Sequence, residues 1–218
     1  MEIVLYLGVT LTAYLLGSIP TGFLFGKVRG IDIRTVGSGN IGATNVFRFL
    51  GKPAGIAVLA IDALKGYLAC TLLTKVAAQS FGYSDGTQVR EQLAILGGIA
   101  ALLGHNYTCW LGFKGGKGIA TSAGVLAALL PWSFLIILGV WVVVLAASRY
   151  VSLASISAAI VLPFATWQVG QSGLMIGVAA SMSTLAIYKH RSNVQRLLKG
   201  TENRISLKKA PAPMESRS

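Results

Sequence analysis

Charged residues are scarce in this sequence, where only 12% of the 218 residues are Asp, Glu, Lys or Arg. Acidic residues are the scarcest of these, with seven against nineteen basic residues. A soluble globular domain carries about twice this share of charge. The shortage, together with a mean hydropathy of +0.67, excludes a soluble domain and indicates an integral membrane protein.

Cysteine and histidine are also rare, with two of each. Cys70 and Cys109 both fall in apolar stretches, so we expect packing residues and neither a disulfide framework nor a redox pair. His105 and Cys109 are four residues apart, but two ligands without an acidic neighbour do not make a metal site. We therefore predict no metal cofactor and expect His105 to be a hydrogen-bonded helix residue.

Long apolar runs fill most of the chain, and most approach the roughly 20 residues that cross a bilayer as a helix. We predict an all-α, polytopic integral membrane protein with about seven transmembrane helices. The predicted spans are residues 3–25, 53–78, 92–112, 118–131, 133–148, 152–169 and 173–189. The stretch 118–148 divides at Pro131 or continues as one kinked segment, so five or six crossings remain open. No Lys or Arg precedes the first run, so we expect it to stay in the mature chain.

Lys and Arg are distributed unevenly between these runs. Sixteen of the nineteen fall in residues 26–52, in 113–118, at Arg149 or from residue 189 onward. With seven spans all of these lie on one side, which the positive-inside rule makes cytoplasmic. We predict an N-terminus outside, a cytoplasmic C-terminus, a single transmembrane domain over 1–205 and a disordered tail over 206–218. This topology accounts for much of the net charge of +12, so we expect no nucleic-acid partner.

The stretch GSGNIGATN, residues 37–45, matches the dinucleotide-binding pattern G-x-G-x-x-G, and Asp62 follows near the distance of that fold's ribose-binding acid. That fold requires a strand buried in a parallel sheet, which a helical membrane protein does not offer. Asp62 beside Lys65 in an apolar run favours an intramembrane ion pair instead. Glycines and short polar residues ahead of a helix still supply free N–H groups, which predicts an anion site.

The stretch FKGGKG, residues 113–118, differs from the P-loop pattern G-x-x-x-x-G-K-[ST] at two positions. Leu111 stands where the first glycine is needed, and Gly118 stands where Ser or Thr should follow the lysine. Two lysines around a glycine pair still make a positive loop able to close over a phosphate. The alternative is an anchor loop that only satisfies the positive-inside rule.

Small and polar residues cluster in four segments at predicted cytoplasmic helix ends. These segments are 37–48, 104–118, 149–155 and 188–204. Their motifs GSGNIGATN, GHNY with FKGGKG, RYVSLAS and HRSNVQRLLKGTEN resemble, in that order, those of the acyl-phosphate-dependent glycerol-3-phosphate acyltransferases. This is the PlsY family of bacterial membrane enzymes, and the resemblance covers the chain to about residue 205.

The resemblance implies a seven-helix enzyme of the bacterial inner membrane, with its active site on the cytoplasmic face. Such an enzyme moves a fatty acyl group from acyl phosphate to the 1-hydroxyl of sn-glycerol 3-phosphate and releases lysophosphatidic acid and inorganic phosphate. No metal or nucleotide cofactor is implied. An enzyme that produces acyl phosphate is left open as a partner, and the acyl-chain preference stays undetermined.

The resemblance also assigns site residues by motif position. The catalytic set is Ser38, Asn45, Lys114, Ser152, His190 and Asn193. The set expected to bind substrate or phosphate is Gly37, Gly39, Asn40, Gly42, Thr44, Arg48, His105, Gly115, Gly116, Lys117, Arg191 and Glu202. Ser155 falls in the third motif as well. Ala154 and Ser192 depart from the usual family residues, so neither is given a role.

Several roles remain open at this point. We expect Ser38 and Asn45 to donate to a phosphate, and the general base to be His105, His190 or a substrate phosphate oxygen. An acyl-enzyme on Ser38 has no adjacent base in the motif. The alternative function is a transporter of a small phosphorylated anion. Two features count against it: the polar clusters lie on one side of the membrane, and no inverted repeat relates the two halves of the sequence.

Overall fold

A computed structural model describes residues 2–205, and the predicted tail at 206–218 lies outside the described residues. Residues 2–205 are helical throughout their regular structure, without a strand, which confirms the predicted all-α class. The helices are α1 Glu2–Ser18, α2 Thr21–Val28, α3 Ala43–Leu50, α4 Lys52–Cys70, α5 Leu72–Ser80, α6 Gln88–Asn106, α7 Ile119–Leu129, α8 Pro131–Ser148, α9 Val151–Gln168, α10 Gly173–Lys189 and α11 Arg191–Leu198.

Four helical stretches of the described chain are long and apolar enough to cross a membrane. They are Glu2–Val28, Lys52–Ser80, Pro131–Ser148 and Val151–Gln168. Two shorter apolar helices, α7 and α10, accompany them. The chain therefore has the helices of a multi-pass membrane protein.

Two predicted spans are broken where the sequence suggested a continuous helix. The first run divides at Ile19 and Pro20, because proline has no N–H to continue the backbone ladder. The second divides at Thr71, whose φ of −108° and ψ of −82° are not helical. The break at Ile19 leaves a carbonyl free to accept from Lys65 Nζ at 3.0 Å.

The predicted span 92–112 is wrong at both ends. Helix α6 begins at Gln88, where the Thr87 hydroxyl accepts from the Arg90 N–H at 3.4 Å, and it ends at Asn106. A short 3₁₀ turn, Cys109–Leu111, follows it. Cys109 is therefore in a turn and half-buried, whereas Cys70 is buried in the core as expected.

The stretch 118–148 is two helices, as the division at Pro131 predicts. Leu130 adopts φ −137° and ψ 57° between them, since the residue before a proline is driven out of the α region. Helix α7 has eleven residues, so its axis is about 16 Å long. That is roughly half the thickness of a bilayer core.

Several glycines let the helices pack closely against one another. A Cβ on Gly66 or Gly124 would overlap the backbone of Thr121 or Ala63, which holds α7 directly against α4. Gly104 meets α1 in the same way. Close contact through small residues is how membrane helices associate, and here it places the end of α6 and the start of α7 beside the middle of α4.

Candidate active site

Two adjoining cavities lie where the four polar segments meet. The cavity with more lining residues, which we call the larger cavity, is bounded by α3, α4, α6, α7, α8, α9 and α11, and the smaller lies beside it among the two glycine-rich loops and α11. The predicted site residues that line the larger cavity are Ser38, Asn40, Gly42, Thr44, Asn45, Arg48, His105, Lys117, Ser152, His190, Asn193 and Glu202. Those lining the smaller cavity are Ser38, Gly39, Asn40, Gly115, Gly116, Lys117 and Arg191. Segments distant in sequence therefore form one site.

Two predicted site residues line neither cavity. Gly37 lies behind its loop with φ +59°, where a Cβ would meet the Phe49 ring and Asn45. Lys114 is exposed on the outer part of its loop, and its N–H donates to the Leu111 carbonyl at 3.2 Å. The structure thus places Lys117, and not Lys114, among the residues facing the cavities.

The first glycine-rich loop, residues 36–45, is held by its own side chains. Asn45 is only 2% exposed, and its amide donates to the carbonyls of Ile33 at 3.0 Å and Val36 at 3.1 Å. Its oxygen accepts from the Ser38 N–H at 3.2 Å. Both amide hydrogens of Asn45 are therefore used inside the loop, which favours a role in holding the loop over the predicted donation to a phosphate.

The remainder of this loop contributes Ser38, Asn40 and Gly42 to the lining of the larger cavity. Asn40 Oδ1 accepts from the Gly42 N–H at 2.8 Å, and the Gly39 N–H donates to Val36 O at 3.0 Å. Gly39 requires its residue type because its φ is +66°. Helix α3 begins immediately afterwards at Ala43, and Gly42, Ala43 and Thr44 at its N-terminus line the larger cavity.

The second glycine-rich loop, residues 112–118, rests on the end of α6. The N–H of Gly115 donates to Asn106 O at 3.3 Å, and that of Gly116 donates to His105 O at 3.0 Å. A Cβ at Gly115 would overlap this backbone, and one at Gly116 would overlap the His105 ring at Nε2. Neither glycine has a positive φ. Both are therefore needed because they let the loop lie directly against the end of α6, and not because of their backbone conformation.

A polar network joins this loop to α11 and the segment after it. Lys117 Nζ donates to Asn193 Oδ1. The Asn193 amide donates to Glu202 Oε1 at 2.8 Å, and the same oxygen accepts from Ser152 Oγ at 2.8 Å. Glu202 of the fourth polar segment is therefore bonded to the third segment through Ser152. Lys117 connects the second segment to the same network through Asn193.

Arg196 completes this network and was missing from the sequence-based assignment. Its Nε lies 2.7 Å from Glu202 Oε2, and Arg196 lines both cavities. It follows Asn193 by three residues on α11, so helical periodicity places the two on one face. Arg48 reaches the same region and donates to the Asn203 carbonyl at 3.1 Å.

Burial lowers the pKa of two cavity residues. Burial, with the nearby Arg196 charge, lowers the pKa of Lys117 to about 8. Burial, with the Lys117 charge, lowers the pKa of His190 to about 4. His190 Nδ1 lies 2.8 Å from the Ala186 carbonyl, which only accepts, so Nδ1 carries the proton and the neutral ring keeps a lone pair on Nε2.

The larger cavity has an apolar side and a deep polar end. Its apolar residues are Leu59, Ile119, Ala120, Trp141 and Val151. Asp62 and His105 line it at depth, where the predicted Asp62–Lys65 ion pair is confirmed at 2.8 Å. Among the described residues, no three His, Cys, Asp or Glu side chains form a group that could hold a metal ion.

Comparison with known proteins agrees with the motifs. The family model described as glycerol-3-phosphate acyltransferase matches residues 7–200. A glycerol-3-phosphate acyltransferase of Geobacter metallireducens is 50% identical over 204 residues, covering 94% of this chain and 97% of that protein. One of Geotalea daltonii is 47% identical over 202 residues, covering 93% and 96%.

Two crystal structures of PlsY, an integral membrane glycerol 3-phosphate acyltransferase, share the fold. The glycerol 3-phosphate form has a TM-score of 0.81 and 41% identity, covering 92% of this chain and 96% of that one. The lysophosphatidic acid form has a TM-score of 0.78 and 40% identity, covering 92% and 95%. The resemblance inferred from the four motifs is confirmed. This chain belongs to the glycerol-3-phosphate acyltransferase family of integral membrane enzymes.

Proposed function

We propose that this enzyme transfers a fatty acyl group from acyl phosphate to the 1-hydroxyl of sn-glycerol 3-phosphate. The observation that carries the proposal is the pair of adjoining cavities that share Ser38, Asn40, Lys117 and Arg196. Both substrates bear a phosphate, and two cationic cavities with common walls suit two such groups held side by side. The apolar side of the larger cavity suits the acyl chain.

In the proposed reaction the 1-hydroxyl oxygen attacks the acyl carbonyl carbon. A carbon–oxygen ester bond forms, the carbon–oxygen bond to phosphate breaks, and the hydroxyl proton leaves with the phosphate. Phosphate is already a good leaving group, so the site acts mainly by positioning the reactants and stabilising the oxyanion. Lys117 and Arg196 supply the positive charge nearest to both cavities.

The hydroxyl proton goes to a phosphate oxygen of the substrate in this scheme. His190, with a pKa of about 4, is a weak base at neutral pH, whereas a phosphate ester titrates near pH 6. His105 is covered by Gly116 at Nε2. We assign His190 the task of orienting glycerol 3-phosphate, together with Asn193.

The test is an assay of purified enzyme in detergent for phosphate release and lysophosphatidic acid formation from acyl phosphate and glycerol 3-phosphate. We expect both products in equal amounts, and acyl-coenzyme A to be a poor donor at matched concentration. Equal rates with both donors would overturn the acyl-phosphate assignment. Uptake of glycerol 3-phosphate into vesicles without product formation would favour the phosphate-carrier alternative.

We also propose seven crossings, with α7 as a short one, in the bacterial inner membrane and with the cavities open to the cytoplasm. Support comes from the basic residues around the cavities, including Arg191 and Arg196, which follow the positive-inside rule. Single cysteines at positions 85 and 199, after replacement of Cys70 and Cys109, test the orientation. An impermeant thiol reagent should label position 85 in intact cells and not position 199; the reverse would invert the topology.

A further inference from the structure

A buried ion pair lies inside α4, away from the charged ends of that helix. Asp62 is 1% exposed and Lys65 is 4% exposed. Asp62 comes ten residues after Lys52, the first residue of α4, so it lies about 15 Å along the helix. Ionisable residues at such depth are costly in a membrane protein and mark functional positions.

The pair connects three elements of the fold through polar contacts. Asp62 Oδ1 accepts from the Thr21 hydroxyl at 2.9 Å, and Lys65 Nζ donates to the Ile19 carbonyl at 3.0 Å. His105 Nδ1, at the end of α6, lies 3.7 Å from the same Asp62 oxygen. The pair thus joins the break between α1 and α2 to the end of α6.

His105 carries this connection to the second glycine-rich loop. Its carbonyl accepts from the Gly116 N–H at 3.0 Å, and its ring packs against Gly116. Gly116 immediately precedes Lys117, whose ammonium binds Asn193 and lines both cavities. A shift of the His105 ring would therefore move Lys117.

We infer that Asp62 is a positioning residue, which through His105 fixes the loop 115–118 and the place of Lys117. Lys65 neutralises the buried carboxylate and holds the Ile19 carbonyl. The inference rests on the proposed function, because Lys117 is taken to bind a substrate phosphate. It differs from a purely structural role in one respect: loss of Asp62 should impair substrate use even in a folded enzyme with no unpaired buried charge.

The experiment compares Asp62→Asn, the double variant Asp62→Asn/Lys65→Met, and Asp62→Glu. Removing one member of a buried ion pair leaves an unpaired charge, whereas removing both is milder for stability. We expect Asp62→Asn to purify poorly and the double variant to recover a melting temperature near that of wild type. The double variant should still show kcat/KM for glycerol 3-phosphate about 30-fold below wild type, mostly through a raised KM.

Asp62→Glu keeps the charge but displaces the carboxylate, so it should fold and lose roughly 10-fold in kcat/KM. The matched control is Asp85→Asn, which breaks exposed ion pairs with Lys75 and Arg90 outside the cavities. This control should retain wild-type kinetics. A folded double variant, or folded Asp62→Glu, with wild-type kcat and KM would refute the positioning role.

A double-mutant cycle with Lys117→Met tests the route of the effect. If Asp62 acts through Lys117, adding the Asp62→Glu change to Lys117→Met should cost less than about 3-fold, since coupled residues are not additive. Full additivity would refute the route through the loop. Wild-type enzyme is the reference throughout, and its failure to use acyl phosphate would instead overturn the proposed function.

Discussion

The two glycine-rich loops use glycine for different physical reasons. In the first loop Gly37 and Gly39 have positive φ values of +59° and +66°, and Asn45 holds the loop through three hydrogen bonds. In the second loop Gly115 and Gly116 have ordinary φ values but lie directly against the end of α6. Gly37 and Gly39 are therefore required for their backbone conformation, and Gly115 and Gly116 are required for space, although Gly112 and Gly118 at the two ends of the second loop also have positive φ values.

This difference predicts how each loop depends on the rest of the protein. The first loop takes its shape from nearby residues, so its structure is encoded locally in 33–45. The second takes its place from α6, and Lys117 is further tied to Asn193 of α11. Substitutions in the second loop should therefore disturb the site more than equivalent substitutions in the first.

The largest expected effect is that of Lys117→Met. It removes the ammonium that binds Asn193 and faces both cavities, so kcat/KM should fall by about 100-fold or more. Lys114→Met is the matched control, because Lys114 is exposed and lines neither cavity. Steady-state kinetics on both variants check this, and equal losses would restore the sequence-based assignment of Lys114 to catalysis.

Next in size is Gly116→Ala. The new methyl group would overlap the buried His105 ring and displace it, so we expect a loss of about 30-fold in kcat/KM. Gly177→Ala, a helical glycine with nothing within 4 Å of the added Cβ, should match wild type. Melting temperatures measured on the same samples separate a loss per folded molecule from a loss of folded enzyme.

A smaller loss is expected for Gly39→Ala. Its φ of +66° costs a non-glycine residue about 1 kcal/mol, and the Cβ would lie 3.1 Å from the Arg34 carbonyl. We expect roughly a 5-fold loss of activity, which corresponds to that free energy. Gly42 has φ −74° and its Cβ would meet only the Asn40 side chain, so Gly42→Ala should be milder. If Gly42→Ala were inactive while Gly39→Ala stayed active, the positive φ of Gly39 would not be what the site requires.

Much of the fold follows from local signals in the sequence. Apolar runs predicted most of the helices, and Pro131 marked the division between α7 and α8. The break at Thr71 has no such signal. The end of α6 at Asn106 depends on contacts with a distant element, since Thr108 Oγ1 donates to the Ser18 carbonyl at 2.6 Å.

The site was predictable as a set of segments but not as a geometry. Motif positions led to Ser38, Lys117 and Asn193, which the fold brings to common cavities. Motif position alone does not separate cavity-facing Lys117 from exposed Lys114, because their surroundings come from α6 and α11. The same limit applies to the amide of Asn45, whose partners lie nine and twelve residues earlier.

The larger cavity also bears on the choice between an enzyme and a transporter. One-sided polar clusters count against a transporter, although the larger cavity is lined by Asp62, which lies about 15 Å along α4 from Lys52. The apolar side of this cavity suits an acyl chain that enters from the bilayer, while the phosphate stays beside Lys117 and Arg196. Product formation, and not cavity depth, is therefore the deciding observation.

The last expected effect is a gradual pH dependence that comes from Lys117 of the second loop, and it is small at pH values close to 8. Because the pKa of Lys117 is lowered to about 8, the free enzyme loses this charge as the pH rises through 8, and KM for the phosphate substrates should rise.

The unfolded chain, with an ordinary lysine pKa, still binds that proton up to about pH 10.5. The Lys117 contribution to stability therefore increases with pH across this window, so a falling melting temperature cannot account for the raised KM. Bound phosphate raises the pKa of Lys117 again, so kcat should depend on pH less than kcat/KM does.

Lys117→Arg keeps its charge throughout and should show a flat kcat/KM above pH 8, at a lower level than wild type. A wild-type profile that stays flat from pH 7.5 to 9.5 would show that the Lys117 charge does not attract the substrate.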